Sequence, residues 1–277
     1  MKKITIRDIK KFKGNNIPFA SVTAYDYISA KNADSVDIPI LLVGDSAAMV
    51  VYGMDNTIPI SMDELIFLVR AVSRGAKKAL IVADMPFMSY QASVEDAVRN
   101  AGRFIKEGGA GAIKLEGGTC YSKQIKAIIN AGIPVMGHIG LMPQSFHLSS
   151  GYRIQGKTKL ESKKILDDAI SVQESGAFAV VLEGIPANLS KIITNKLDIP
   201  TIGIGAGPNC DGQIQVYHDI LGLYSDLVPK HTKQYCNLSL EIQKKLLEYK
   251  SDVQKKIFPN SKNYTNSKSQ SIKVKSH

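Results

Sequence analysis

The fold is decided by the stretch Glu107-Gly108-Gly109-Ala110-Gly111-Ala112-Ile113-Lys114-Leu115-Glu116-Gly117. Glycines come first, a short and mostly apolar run follows, and a charged residue stands at its end. Glycine suits the left-handed position that follows a helix. A short apolar run is typical of a strand buried on both faces of a parallel sheet. The stretch therefore predicts a helix end, then a buried parallel strand that finishes in a polar residue.

The same order of glycine, apolar run and polar residue recurs at residues 74–84, 130–138 and 174–184. Four further apolar runs predict strands near residues 20–23, 40–43, 201–204 and 214–216. Helices are expected between the strands, at residues 61–76, 93–107 and 159–175. The first of these begins with Ser61-Met62-Asp63-Glu64, which has the pattern of a capping box.

Eight strands that alternate with helices predict an α/β fold, the (β/α)₈ TIM barrel. The chain has 277 residues, and such a barrel uses about 250. We expect one catalytic domain over residues 1–259 and a basic, disordered tail over residues 260–277. An open doubly wound sheet is the alternative, but no GxGxxG motif follows the first strand, which disfavours a dinucleotide-binding fold.

The net charge of +10 is concentrated near the end of the chain. Residues 230–277 carry 11 lysines against three acidic residues, and the rest of the chain has a net charge of only +2. This distribution indicates a solvated tail and no nucleic-acid partner, because a nucleic-acid-binding domain carries a basic patch on its folded body. No apolar run reaches the roughly 18 residues of a membrane span. We expect a cytoplasmic protein without a membrane partner.

Polar residues end five of the predicted strands. They are Asp45, Asp84, Glu116, His138 and Glu183. The active site of a TIM barrel lies at the C-terminal ends of its strands, so these side chains should meet at one mouth. Side chains alternate along a strand, which places Lys114 on the same face as Glu116. If the apolar Ile113 faces the helices, that charged pair faces the barrel interior.

Several carboxylates at one mouth require a cation, and oxygen ligands without clustered His or Cys favour Mg²⁺. A metal chelated by a 2-oxo acid polarises the carbonyl and stabilises an enolate. The residues alone thus indicate Mg²⁺-assisted chemistry on an oxo acid or a phosphorylated acid. A Schiff-base aldolase that uses Lys114 is a second reading, which the neighbouring acids disfavour because they hold the ammonium protonated. A non-catalytic binding barrel is a third.

Motifs along residues 6–259 resemble those of the ketopantoate hydroxymethyltransferases. They include Gly44-Asp45-Ser46, Asp84-Met85-Pro86-Phe87, Lys114-Leu115-Glu116-Gly117-Gly118, Gly137-His138-Ile139-Gly140-Leu141, Pro143-Gln144-Ser145, Glu183-Gly184 and His218-Asp219. Any one of them is weak, whereas all of them in this order are specific. The resemblance implies a barrel of the phosphoenolpyruvate/pyruvate superfamily that assembles as a homodecamer.

The implied reaction transfers a hydroxymethyl group from 5,10-methylenetetrahydrofolate to 3-methyl-2-oxobutanoate and gives 2-dehydropantoate for pantothenate biosynthesis. The alternative is another Mg²⁺-dependent 2-oxo acid aldolase or lyase on the same barrel. By the resemblance, Glu183 is the catalytic base. The implied Mg²⁺ ligands are Asp45, Asp84 and Glu116, and the implied contacts to the oxo acid are Asp45, Ser46, Asp84 and Lys114. His138 is a further candidate for contact with the substrate.

The sequence departs from the usual family pattern near these motifs. Ala47 and Ala48 stand where the family usually has Leu-Gly, Met88 where it has Gly, and Leu68 where it often has His. We expect these changes to affect the shape of the pocket and its affinity for folate rather than the type of reaction.

Overall fold

The computed structural model describes residues 2–149, 151, 153–224 and 228–265. Within them the chain forms a closed barrel of eight parallel strands, in which each strand pairs with the next and the last pairs with the first. The strands are β1 (Phe19–Thr23), β2 (Ile40–Val43), β3 (Leu80–Asp84), β4 (Ala112–Glu116), β5 (Val135–Gly140), β6 (Ala179–Glu183), β7 (Thr201–Ile204) and β8 (Gly212–Gln215). The predicted TIM barrel is confirmed, and an open sheet is excluded.

Helices connect the strands. They are α1 (Ile6–Lys10), α2 (Tyr27–Ser35), α3 (Ala47–Val50), α4 (Met62–Gly75), α5 (Val94–Arg103), α6 (Ser122–Asn130), α7 (Phe146–Ser149), α8 (Lys159–Glu174), α9 (Ala187–Lys196), α10 (Tyr217–Ile220) and α11 (Leu238–Gln254). A π-helical turn at Phe104–Gly108 continues α5, and 3₁₀ turns lie at Thr119–Tyr121 and Pro143–Ser145.

The three predicted helical segments are confirmed as α4, α5 with its π turn, and α8. The capping box at the start of α4 forms as expected. The Ser61 hydroxyl accepts a hydrogen bond from the Glu64 amide, and the Glu64 carboxylate accepts one from the Ser61 amide. These bonds satisfy N–H groups that the first turn of a helix leaves without partners.

The last strand begins earlier than predicted, at Gly212 instead of residue 214. Gly212 pairs with Phe19 of β1, and a Cβ atom at position 212 would lie 2.6 Å from the Phe19 ring. The glycine therefore belongs to the strand, where the absence of a side chain makes room for the ring.

The glycines that follow helices behave in two ways. Gly109, Gly132 and Gly176 have φ angles of +78°, +86° and +98°, as predicted for left-handed positions after helices. Gly75 is different, because it is the last residue of α4 and its φ is not positive. A Cβ atom at Gly75 would lie 2.4 Å from the carbonyl oxygen of Tyr27. This glycine permits close packing of α4 on α2, and the left-handed prediction is wrong there.

Apolar side chains pack on both the outer and the inner face of the barrel. The outward side chains, among them Ile113 and Leu115, pack against the helices. The inward side chains fill the lower barrel together with Ile9 of α1, and they are Phe19, Ile40, Leu42, Leu80, Val82, Ala112, Met136, Ala179, Val181, Ile202 and Ile214. The charged side chains of the barrel interior among the described residues lie toward its C-terminal end, and the site lies there.

Helix α11 has no buried residue. Its apolar side chains are exposed, and they include Leu240, Leu246, Leu247 and Val253. Within the described part of the chain, no helix is long and apolar enough to cross a membrane. Most of the predicted tail, residues 266–277, lies outside the described residues, and the part that is described, residues 260–265, is exposed.

Candidate active site

A cavity of about 600 Å³ opens at the C-terminal mouth of the barrel. Every site residue expected from the sequence lines it, namely Asp45, Ser46, Asp84, Lys114, Glu116, His138 and Glu183. Most of them converge because they stand at or just after strand ends in one closed parallel barrel. Lys114 lies two residues before the end of β4, and His138 lies two residues before the end of β5, because β5 continues to Gly140 instead of ending at His138 as predicted. Four residues depart from the usual family pattern, namely Ala47, Ala48, Leu68 and Met88. They are not among the residues that line the cavity.

Lys114 and Asp84 form a buried ion pair in the floor of the cavity. The two residues are register partners on β4 and β3. The Lys114 ammonium donates to both carboxylate oxygens of Asp84, at 2.6 and 2.7 Å. Burial opposes the charge on Lys114, but Asp84, Glu116 and Asp45 outweigh it and raise the pKa of the ammonium. Lys114 is therefore held as a cation, which disfavours the Schiff-base reading.

Three carboxylates share this floor. The backbone amide of Asp45 donates to Asp84 Oδ2 at 3.3 Å. Burial and the neighbouring charges of Asp84 and Glu116 raise the pKa of Asp45 well above its usual value. Burial also raises the pKa of Asp84, although Lys114 acts against it. The group carries more negative charge than its single ammonium can balance.

Gln144 links the acidic residues to one another. Its side-chain amide donates to Asp45 Oδ2 at 3.1 Å and to the Met85 carbonyl at 2.9 Å. Its backbone amide donates to Glu116 Oε2 at 3.1 Å. The Tyr90 hydroxyl donates to the Gln144 side-chain oxygen at 3.1 Å and lies 3.0 Å from the Glu116 carbonyl. This network fixes two carboxylates without neutralising either of them.

His138 lies between two glutamates. Its Nδ1 is 3.5 Å from Glu116 Oε1, and its Nε2 is 3.2 Å from Glu183 Oε2. Neither contact has hydrogen-bond geometry. Glu116 Oε1 and both ring nitrogens are buried, and they have no hydrogen-bond partner among the described residues. Burial and Lys114 oppose protonation of His138, but Glu116 and Glu183 outweigh them and raise its pKa to about 9. The imidazole is thus a cationic bridge between the acidic floor and Glu183.

Ser46 and Tyr25 form the wall beside this floor. The Ser46 side-chain oxygen and the Tyr25 hydroxyl lie 2.8 Å apart, and Tyr25 is fully buried in the core behind the cavity. The hydrogen bond fixes the orientation of the serine at the start of α3. Ser46 can therefore present its hydroxyl to a ligand with little loss of side-chain freedom.

The metal ligands predicted from sequence lie together, but they do not form a preformed cage. Among the residues that the structure describes, no group of three or more His, Cys, Asp or Glu side chains is arranged to hold a metal ion. Both Asp84 oxygens contact Lys114, and one Asp45 oxygen contacts Gln144. The remaining donor capacity consists of carboxylate oxygens, which are suited to a hard cation.

Almost the whole chain matches one known protein family. The family model described as ketopantoate hydroxymethyltransferase matches residues 3–261. The chain belongs to that family. The resemblance inferred from motifs is therefore confirmed, and the protein is an enzyme of the hydroxymethyltransferase class.

Similar proteins of this family come from several bacteria, and each is named 3-methyl-2-oxobutanoate hydroxymethyltransferase. One from Carboxydothermus hydrogenoformans is 50% identical over 262 residues, 95% of both chains. One from Dehalococcoides mccartyi is 52% identical over 255 residues, which cover 92% of this chain and 91% of that one. One from Clostridium beijerinckii is 50% identical over 260 residues, 94% of both chains.

Solved structures with the same fold belong to more distant enzymes. A phosphoenolpyruvate phosphomutase from Streptomyces platensis matches with a TM-score of 0.61 at 12% identity, over 91% of this chain and 88% of that one. A phosphonopyruvate hydrolase, in complex with oxalate and Mg²⁺, matches with a TM-score of 0.60 at 12% identity, over 95% and 93% of the two chains. These matches support the (β/α)₈ barrel fold.

Three residues in or beside the cavity have no role predicted from the sequence. Asp219 lines the cavity, Gln144 donates to Asp45, and Tyr25 contacts Ser46. Asp219 belongs to α10 and is buried, and burial raises the pKa of its carboxyl to about 6. The sequence signals for Asp219 are the His218-Asp219 motif and its position shortly after the last predicted strand.

Proposed function

We propose that the enzyme transfers a hydroxymethyl group from 5,10-methylenetetrahydrofolate to 3-methyl-2-oxobutanoate and releases 2-dehydropantoate and tetrahydrofolate. Water supplies the hydroxyl oxygen of the new group. The observation that carries the proposal is the group of three buried carboxylates beside one buried ammonium, formed by Asp45, Asp84, Glu116 and Lys114. Family membership and the names of the relatives support the same reaction.

Mg²⁺ is the proposed cofactor, with Asp45, Asp84 and Glu116 as its ligands. Oxygen donors on three neighbouring strands fit its preference. Glu116 Oε1 is buried without a hydrogen-bond partner, and a divalent ion would relieve the repulsion that raises the pKa of Asp45 beyond the effect of burial. When bound, Mg²⁺ would polarise the 2-oxo carbonyl and stabilise the enolate.

The chain's own residues would position the oxo acid. Lys114 is a fixed cation that can neutralise the carboxylate of the substrate, because its pKa is raised by the surrounding acids despite burial. Ser46, held by Tyr25, can donate its hydroxyl to a substrate oxygen. We propose that Asp45 and Asp84 also border the oxo acid, and that His138 contacts it from the next strand.

Glu183 is the proposed general base that removes the proton from C3. Its side chain is 18% exposed, so the carboxylate can reach a substrate in the cavity. Its oxygen lies 3.2 Å from His138 Nε2, which can orient the carboxylate toward the substrate. A positioned base of this kind contributes roughly 10² to 10⁴-fold to a rate.

The test is an assay with both substrates, with and without Mg²⁺. We expect 2-dehydropantoate only when Mg²⁺ is present. Deuterium exchange at C3 of 3-methyl-2-oxobutanoate, measured without folate, reports enolate formation separately from hydroxymethyl transfer. Absence of product under both conditions would overturn the proposal. Exchange without product would keep the enolate chemistry and favour another oxo-acid aldolase or lyase.

The metal assignment has a test of its own. We expect Asp84→Ala to weaken Mg²⁺ binding and oxo-acid binding together, because Asp84 belongs to both proposed contact sets. Isothermal titration with each ligand measures the two affinities. If Mg²⁺ binds Asp84→Ala as tightly as it binds wild type, Asp84 is not a ligand.

We further propose that the chain acts in the cytoplasm as a homo-oligomer, a decamer by the family resemblance. The exposed apolar side chains of α11 support an assembly, because a monomer rarely leaves such a surface uncovered. Light scattering at micromolar concentration measures the mass. A monomeric mass would contradict this part of the proposal.

A further inference from the structure

Asp219 has a carboxyl group that the proposed reaction does not yet use. The residue is only 6% exposed, and it lines the same cavity as Ser46 and Lys114. It follows β8, which lies between β7 and β1 in the closed barrel. One strand, β1, therefore separates it from β2, the nearest strand of the acidic floor.

The side chain of Asp219 makes no hydrogen bond or ion pair within the described residues, whereas comparable buried aspartates are fully paired. Asp34 accepts three backbone N–H bonds, from Lys77, Lys78 and Ala79. Asp211 accepts bonds from Lys13, Gly14 and Thr201. An unpaired buried carboxylate is costly, so a fold that retains one at the wall of a cavity leaves it available to a ligand.

A purely structural role does not account for Asp219. Although it stands in the first turn of α10, its carboxylate caps no helix N–H. Its backbone amide donates to the Val216 carbonyl, as any residue at that position would. Burial alone raises the pKa of the carboxyl, which means that no described neighbour stabilises the charged form.

The chemistry of the two substrates decides what the carboxylate can bind. A 2-oxo acid carries a carboxylate, a carbonyl and alkyl groups, so it offers no N–H or O–H donor at neutral pH. The reduced pterin ring of a tetrahydrofolate offers an amino group beside a ring N–H, arranged like the donors of a guanidinium group. A carboxylate accepts such a pair of parallel hydrogen bonds in bidentate fashion.

We propose that Asp219 binds the pterin ring of the one-carbon donor through its amino and ring N–H groups. This inference rests on the proposed function and names the residue that recognises the second substrate. The apolar cavity walls near this residue, Ile214 and Val216, suit the faces of a flat ring. Because Asp219 makes no hydrogen bond or ion pair to the acidic floor within the described residues, enolate formation should not depend on it.

The experiment measures tetrahydrofolate binding by titration calorimetry for wild type, Asp219→Asn and Asp219→Ala. Asp167→Asn is the matched control, because Asp167 is exposed on α8. We expect both Asp219 variants to bind tetrahydrofolate roughly 10- to 100-fold more weakly, the usual scale for loss of a charge-assisted hydrogen-bond pair. The control should match wild type. In steady state, the KM for methylenetetrahydrofolate should rise while the KM for the oxo acid stays within about twofold.

Three outcomes would be informative. Tetrahydrofolate affinity within about twofold of wild type in Asp219→Asn would overturn the inference. Loss of C3 deuterium exchange in that variant, in step with loss of transfer, would assign Asp219 to the acidic floor and also overturn it. If wild type itself shows neither exchange nor product, the proposed function fails, and tetrahydrofolate titration still decides whether Asp219 binds a pterin. If both variants also change the thermal unfolding temperature, Asp219→Glu separates that effect from binding. This variant keeps the charge, so it should retain more affinity for tetrahydrofolate than Asp219→Ala.

Discussion

The two ends of the barrel interior use the same strands for different purposes. On β3 the inward residues run from Leu80 and Val82 at the lower end to Asp84 at the mouth, and on β6 they end in Glu183. The lower residues are apolar and packed, with Ile9 closing that end. The upper residues are acidic and incompletely paired. We therefore expect the apolar lower end of the barrel to contribute mainly to stability and the acidic mouth mainly to catalysis. Substitutions at each end can test this division.

The largest effect is expected at Glu183. Glu183→Gln keeps the shape of the side chain but removes its basicity, so kcat should fall roughly 10² to 10⁴-fold. Oxo-acid affinity should change little, because Glu183 is not a proposed metal ligand. Product formation and C3 deuterium exchange measure the loss. The matched control is Glu174→Gln, an exposed position on α8. Equal exchange in wild type and Glu183→Gln would move the base elsewhere.

The second prediction concerns Lys114, a residue of the mouth that we expect to contribute to stability. Lys114→Met removes the ammonium that pairs with Asp84 and leaves three buried carboxylates without it. We expect the free energy of unfolding at neutral pH to fall by about 3–5 kcal/mol, as when one partner of a buried ion pair is lost. Urea unfolding measures the change. Added Mg²⁺ should restore more stability to the variant than to wild type, and no such difference would contradict a metal site among these carboxylates.

The third prediction tests the contribution of the apolar lower end of the barrel to stability. Ile9 is fully buried among the inward apolar side chains, so Ile9→Ala should cost about 3 kcal/mol of unfolding free energy through lost burial and a new cavity. The variant should keep its KM values, because Ile9 itself is not among the residues that line the cavity. The control is Ile17→Ala, where the side chain is 81% exposed. A large change in KM for Ile9→Ala at a temperature where it is folded would show that the two ends are coupled.

The fourth effect concerns pH and the carboxyl of Asp219. Burial raises its pKa to about 6 in the folded protein, whereas an unfolded Asp has a pKa of about 3.9. Between these values the folded state holds a proton that the unfolded state has lost, so the stability from this group is present at low pH and is lost as pH rises. Asp219→Asn does not titrate there. Relative to wild type, it should gain about 2 kcal/mol of unfolding free energy between pH 4 and pH 7.

Urea unfolding of the protein without ligands, at both pH values, measures that difference, and Asp167→Asn should show none of it. A gain in stability from Asp219→Asn together with weaker tetrahydrofolate binding would identify a carboxylate kept for function at a cost in stability. A pH-independent difference would mean that Asp219 is not a buried titrating group.

The sequence predicted which site residues meet at the barrel mouth, but it did not predict the hydrogen bonds and ion pairs between them. Alternation along β4 was enough to place Lys114 and Glu116 inside the barrel, because that rule acts within one strand. Gln144 lies 99 residues from Asp45, to which it donates, and it reaches that residue from a 3₁₀ turn after β5. No spacing rule predicts how a loop folds over a mouth. The strong pairing of Lys114 with Asp84 also follows from strand register, which local sequence does not specify.

The smallest effect is expected from the tail, residues 260–277. Helix α11 ends at Gln254, and the Phe258 ring packs on Tyr249 at a centroid distance of 5.6 Å. Truncation after Pro259 keeps that contact and removes residues 260–277, whose described part is exposed. Exposed residues outside any packed contact usually change stability by less than about 0.5 kcal/mol, so kcat, KM and unfolding free energy should match those of the full chain. Turnover and light scattering compare the two proteins. A loss of activity would place the tail against the barrel mouth, whereas a loss of mass would place it at a subunit interface beside the exposed face of α11.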